Sequence, residues 1–176
     1  MKKTITILFS IFTLCGAQGQ SLKQQGTSVE ELVPQGWSHY ETTGDLNKDG
    51  IADVAVMSRP NFKDNMDCMN NFSFEVTNRG VLNITIQPEC TQGSFFSNIS
   101  RYSYRFQNGD FFLIGKEIES IQRNTGEVEL VSENYLTWKR QVKKSNFSED
   151  TPPIEKWTRL SKRPLEKLGE HLLGNE

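Results

Sequence analysis

The residues best equipped for chemistry stand together at 44–53, Gly44-Asp45-Leu46-Asn47-Lys48-Asp49-Gly50-Ile51-Ala52-Asp53. Oxygen-bearing side chains alternate with spacers at Asp45, Asn47 and Asp49, a glycine follows at Gly50, and Asp53 closes the run. A hard cation such as calcium takes six to eight oxygens at about 2.3–2.6 Å, and a chain supplies them by alternating ligands with spacers while it curls around the ion. Counting from Asp45, positions one, three, five and nine offer side-chain oxygens, and the carbonyl of Ile51 falls at position seven. Gly50 allows the sharp turn that a Cβ resists. The plain alternative is a metal-free polar turn, because Asn, Asp and Gly also build tight turns before strands.

The loop is not an EF-hand. That motif needs a bidentate Glu at position twelve, where this chain has Val56. Nor does a helix follow, since 51–57 is short, apolar and β-branched and reads as a buried strand delivering Ile51, Val54 and Val56 to the core. The span from about 37 to 57 resembles the calcium loop of the FG-GAP/VCBS type found in integrin-like propeller blades. That resemblance implies Asp45, Asn47, Asp49 and Asp53 as side-chain ligands of Ca2+ and Ile51 as a backbone ligand. A propeller needs at least four blades, and one copy of the motif stands here, so the blade architecture does not carry over. The whole chain is similar to small secreted proteins of Gram-negative bacteria labelled VCBS repeat-containing, which hold one such loop in a β-rich domain.

The elements around the loop follow from the rest of the 176 residues. Residues 1–19 read as a signal peptide: Lys2 and Lys3, an apolar run from 5 to 14 too short to span a membrane, and Ala17-Gln18-Gly19 as a cleavage site. Cys15 lacks the residues that precede a lipid-modified cysteine. Removing Lys2 and Lys3 from 20 basic residues leaves 18 against 22 acidic ones, net −4, and no basic face marks a nucleic-acid binder. Residues 20–36 form a flexible lead-in with one helical turn at 28–32, and 37–176 a single domain.

Residues 37–41 should enter the loop as a strand, and 59–71 should form a long polar excursion. Within it Asp64, Asn65 and Asp67 are a second oxygen cluster whose spacing fits no known loop. Residues 72–76 and 82–86 alternate around Asn78-Arg79-Gly80. A three-residue loop with Gly80 left-handed pairs Phe72 with Ile86, Phe74 with Ile84 and Val76 with Leu82, and carries Cys68 opposite Cys90. An exported chain with two remaining cysteines in that register predicts a Cys68–Cys90 disulfide. After a loop at 92–101, Asn108-Gly109 predicts a second hairpin pairing Phe106 with Phe111 and Tyr104 with Leu113. A strand then returns from 127 through 138 to 143, with its register open because apolar residues fall on both parities. Residues 146–153 read as loop, 155–160 as a last strand, and Leu165, Leu168, Leu172 and Leu173 as one face of a short C-terminal helix.

The fold expected is mainly β, a single antiparallel domain of successive hairpins with one inserted calcium-type loop. The frequent aromatics, Trp37, Trp138, Trp157, Phe95, Phe96, Tyr102, Tyr104, Phe106, Phe111 and Phe112, are core of such a fold, or an exposed row able to bind sugar or protein. The only histidines, His39 and His171, make a catalytic triad or a zinc cluster hard to build. The function expected is that of an exported, non-catalytic protein of the periplasm or beyond, holding structural calcium and binding a protein or surface partner. The alternatives are an inhibitor or immunity protein for a cell-wall hydrolase and a metal-dependent hydrolase.

Overall fold

In a computed structural model the chain is mainly β, built of antiparallel hairpin strands with one parallel pair, β2 with β5. The structure describes residues 5–6, 8–10, 25–26, 28–60, 68–90 and 95–168; for 5–6, 8–10, 25–26, 59–60, 68–70 and 89–90 only the backbone is described. The described elements are β1 (Ile5–Thr6), β2 (Leu8–Ser10), β3 (Gln25–Gly26), α1 (Val29–Leu32), β4 (Trp37–Gly44), β5 (Asp53–Pro60), β6 (Cys68–Val76), β7 (Val81–Cys90), β8 (Phe96–Gln107), β9 (Asp110–Gln122), β10 (Glu127–Asn134), β11 (Lys139–Asn146) and β12 (Ile154–Arg159). The proposed signal peptide and lead-in lie outside the described residues, except for the backbones of β1, β2 and β3 and for residues 28–36.

Strands β6 to β12 form one seven-stranded meander in which every strand pairs with its sequence neighbour. Its hairpins are set by turn chemistry. Asn108 and Gly109 both take positive φ, +52° and +81°, and place Phe106 opposite Phe111 and Tyr104 opposite Leu113. Gly80 at φ +69° closes the β6–β7 turn, where the Thr77 amide donates to the Val81 carbonyl. The resulting register opposes Phe72 to Ile86, Phe74 to Ile84, Val76 to Leu82 and, at the far end, the backbone of Cys68 to that of Cys90.

A smaller sheet runs β2-β5-β4, with β4 and β5 joined antiparallel by the 45–52 loop. Strand β5 is buried on both faces, as its β-branched run implies. Ala55 and Met57 join Leu46, Leu82, Ile84, Tyr104, Phe111, Leu113, Tyr135 and Leu168 in the main core, while Val56 packs with Leu32 of α1 on the other side. The crossing of the two sheets is close at Gly44, where any Cβ would run into the side chain of Val76.

Several expectations are corrected. Ile51 precedes the strand and is 37% exposed; Val56 is buried as expected, with Val54 packed partly buried beside it, and Ala55 and Met57 reach the main core in place of Ile51. The polar excursion is shorter than 59–71, because β5 runs to Pro60 and β6 begins at Cys68; the cluster Asp64, Asn65 and Asp67 lies outside the described residues. Residues 96–101 are strand rather than loop, held by pairing with the end of β9. The run from 127 to 143 is broken into β10 and β11 by a turn at 135–138. There the Asn134 side-chain oxygen accepts the amides of Leu136 and Thr137, and Trp138 takes φ +56°.

Residues 160–166 form no regular element, so Leu165 packs from an extended segment; Leu168 is helical, and the rest of the expected helix, 169–173, lies outside the described residues. At the register shift between Ser103 and Tyr104, β9 carries the extra residue Ile114, and its pairing with β10 stops at Gly115. The freed Leu113 amide donates to the Glu166 carbonyl, Phe112 bridges Lys167, and Lys167 reaches the Asp110 carboxylate at 2.9 Å. Leu165 and Leu168 thereby close the core, while Leu172 and Leu173 lie outside the described residues.

Candidate functional site

The 45–52 loop hangs between two strands whose pairing ends at Gly44 opposite Asp53. Leu46, 2% exposed, anchors it in the core, while Lys48 and Gly50 take positive φ, +62° and +82°, to complete the curl. Gly80 of the β6–β7 turn lies against it, close enough that a Cβ there would come within 2.9 Å of the Asp45 carbonyl oxygen.

All four side-chain candidates turn inward onto the loop's own amides. Asp45 accepts the Asp49 amide through Oδ1 at 3.1 Å and the Gly50 amide through Oδ2 at 2.9 Å. Asn47 Oδ1 also accepts the Asp49 amide, at 3.0 Å, and its Nδ2 donates to Asp49 Oδ2 at 3.0 Å. Asp49 Oδ1 accepts the Ile51 amide at 2.8 Å. Asp53, only 2% exposed, accepts the Leu46 amide at 2.9 Å and the Asn47 amide at 3.4 Å through Oδ2.

These bonds leave acceptor capacity over, because an ionised carboxylate has about four lone-pair sites. The electrostatics are unbalanced. Burial raises the Asp53 carboxyl above its ordinary range, the amides of Leu46 and Asn47 oppose that shift, and the charges of Asp49 and Asp45 add to it. Among the described residues none of the three carboxylates has an ion-pair partner. Nor do three His, Cys, Asp or Glu side chains gather at one point as a ready-made metal cluster there. The carboxylates hold amides, and the ligand set would be completed by Asn47 and the Ile51 carbonyl.

The other sequence candidates are not brought to this loop. His39 Nε2 sits 3.0 Å from Glu41 Oε1 on exposed β4, and His171 lies outside the described residues. Cys68 and Cys90 face each other by backbone register at the far end of the β6–β7 hairpin.

A second feature was not visible as a motif. The outer face of the large sheet carries a groove of about 830 Å³. One row of paired residues crosses all seven strands: Ser73, Thr85, Arg101, Glu117, Ser132, Gln141 and Trp157. Beside it runs Glu75, Asn83, Ser103, Gly115, Asn134 and Lys139. The sequence signals were the polar parity of each strand and the frequency of aromatics, and parity becomes a site only once the register is known.

No protein family, curated protein or solved structure matches this chain. Among the described residues no helix is long and apolar enough to cross a membrane, which leaves membrane β-barrels unaddressed.

Proposed function

We propose that the chain is an exported, non-catalytic binding protein whose 45–53 loop, of the FG-GAP/VCBS type, holds a structural calcium ion. One observation carries this reading. Three carboxylates, one of them buried, face into a tight loop with no ion-pair partner among the described residues. A metal-free turn gains nothing from that repulsion, whereas a divalent cation offsets it and draws on the remaining lone pairs of Asp45, Asn47, Asp49 and Asp53 and the Ile51 carbonyl. The ion would tie the exit of β4 to the entry of β5, and through Leu46 and Gly80 tie both to the large sheet. Such a role requires no open coordination position for substrate.

Export sets the expected affinity, a Kd of roughly 10⁻⁴–10⁻³ M for an extracellular calcium module. At about 1 mM calcium that contributes around 0.4–1.4 kcal/mol of stability. Isothermal titration of chelator-treated protein should show one site, and Asp49→Ala should abolish it. Equal heats from the two proteins would remove calcium from the loop.

A further inference from the structure

The open face of the large sheet is polar by design of register. The interior face of the same strands carries Phe72, Phe74, Leu82, Ile84 and Tyr104, so the alternate residues are free to face outward. Among the residues lining the groove the ionised side chains are Glu75, Glu117 and Glu133 against Arg101, Lys116 and Lys139, which cancel, while Arg159, opposite Lys139 on β12, ends the second row beyond the lining.

Arg101 is already engaged, at 2.6 Å from Glu117 Oε1 and 3.5 Å from Glu119 Oε2. It therefore offers no uncompensated cation for a phosphate or carboxylate chain. Apart from Lys139 near the β12 end, what remains is amide and hydroxyl, groups that both donate and accept. They are fixed in place by one another. The Asn83 amide donates to Glu75 at 3.1 Å, Ser103 donates to Asn83 Oδ1 at 2.8 Å, and Ser132 donates to Glu117 at 3.0 Å.

At one end of the row Trp157 lies on edge strand β12, 60% exposed. In mid-groove Gly115 leaves a gap in the floor, since an added Cβ would meet nothing nearer than the Glu133 carbonyl oxygen at 3.4 Å. The row crosses six interstrand spacings of about 4.8 Å, roughly 29 Å in all, which suits a chain rather than a single small molecule.

We propose that this groove binds an uncharged oligosaccharide laid across the strands, with the Trp157 ring stacked on one sugar. A sugar chain matches the site group by group. Its hydroxyls donate and accept against the amides and hydroxyls of the rows, its lack of charge matches the cancelled charge of the groove, and the apolar C–H face of a ring covers an exposed indole. The proposal names the partner of the binding-protein reading and rests on that reading, but not on the metal in the loop.

The test is isothermal titration of the full chain with cellohexaose, chitohexaose and maltohexaose, with hexagalacturonate as the charged control. At least one neutral hexasaccharide should bind. Trp157→Ala, at an exposed edge position, should weaken it about tenfold, and Gly115→Val, which fills the floor while keeping a strand-favouring residue, should do likewise. No heat from any neutral chain, binding of hexagalacturonate alone, or affinity unchanged in both variants would overturn the assignment. Titrating in chelator and again in calcium separates the two ideas, since sugar binding in both without any calcium heat would sustain the groove and remove the metal.

Discussion

Replacing Asp53 by Asn should have opposite consequences with and without calcium. Asp53 does two separable things in the loop. Its Oδ2 accepts the Leu46 amide at 2.9 Å in a site 2% exposed, and its charge sits buried beside Asp45 and Asp49. Asparagine keeps an acceptor oxygen and removes the charge. In chelator the raised carboxyl pKa means that ionising Asp53 costs stability as pH rises above the ordinary carboxylate range, so Asp53→Asn should be as stable as the native chain or more so. Asp53→Ala should lose about 1–3 kcal/mol in the same buffer, because the Leu46 amide is left without its acceptor. At about 10 mM calcium the native chain should gain around 1.4–2.7 kcal/mol for a Kd of 10⁻³–10⁻⁴ M, and neither variant should share that gain. Thermal unfolding reads it as a shift of about 4–8 °C present only in the native protein. If Asp53→Asn is destabilised equally in chelator and in calcium, the carboxylate serves the turn and not an ion, and the argument from unbalanced charge fails.

Gly44→Ala should destabilise by about 1–3 kcal/mol through overpacking against Val76. Pairing it with Val76→Ala should recover part of that loss in denaturant melts, and strictly additive losses would deny the contact. The backbone register that opposes Cys68 to Cys90 should let a disulfide form, contributing about 3 kcal/mol on the chain-entropy model. Intact mass after alkylation without reductant should show no free thiol in exported protein. The hydrogen bond from Lys167 holds the Asp110 carboxyl below its usual range, so its contribution is present above about pH 4 and disappears as pH falls through the folded value. The stability difference between the native chain and Asp110→Asn should therefore shrink on acidification from about pH 5 to pH 2, and a constant gap would show that the clasp is not electrostatic.

The parts of the fold legible in the sequence were those fixed by local chemistry. Gly80 and Asn108-Gly109 must take positive φ, and each then dictates a register that the alternating apolar residues agree with. The β10–β11 turn carried no such mark. It has neither glycine nor proline, Trp138 accepts a left-handed conformation, and Asn134 alone supplies the turn hydrogen bonds. With Leu130 and Val131 adjacent, parity gave no guide there either. Ile51 was misplaced because an apolar residue beside a strand looks like its first member, yet the pairing that defines β5 begins at Asp53. That a tight turn joins two strands at 45–52 was readable from the Asn, Asp and Gly there. The groove was not, because its members come from seven strands and meet only across a completed sheet.

The meander also bears on kinetics. From β6 to β12 each strand bonds its neighbour in sequence, so most of the large sheet assembles through short closures, a low contact order for a β protein. The β8–β9 hairpin, with its two-residue Asn108-Gly109 turn, is the natural starting point, since isolated hairpins close in about 1–10 μs. Strands then add outward on both sides. The β4–β5 hairpin is stabilised by packing on the large sheet, with Gly44 seated on Val76 and Leu46 in the core, so its native contacts are expected to complete after that sheet has formed. Interactions made after the barrier act on the return journey alone. An ion in the loop would therefore slow unfolding and leave the folding rate nearly untouched, lengthening the lifetime of the native chain without hastening its formation.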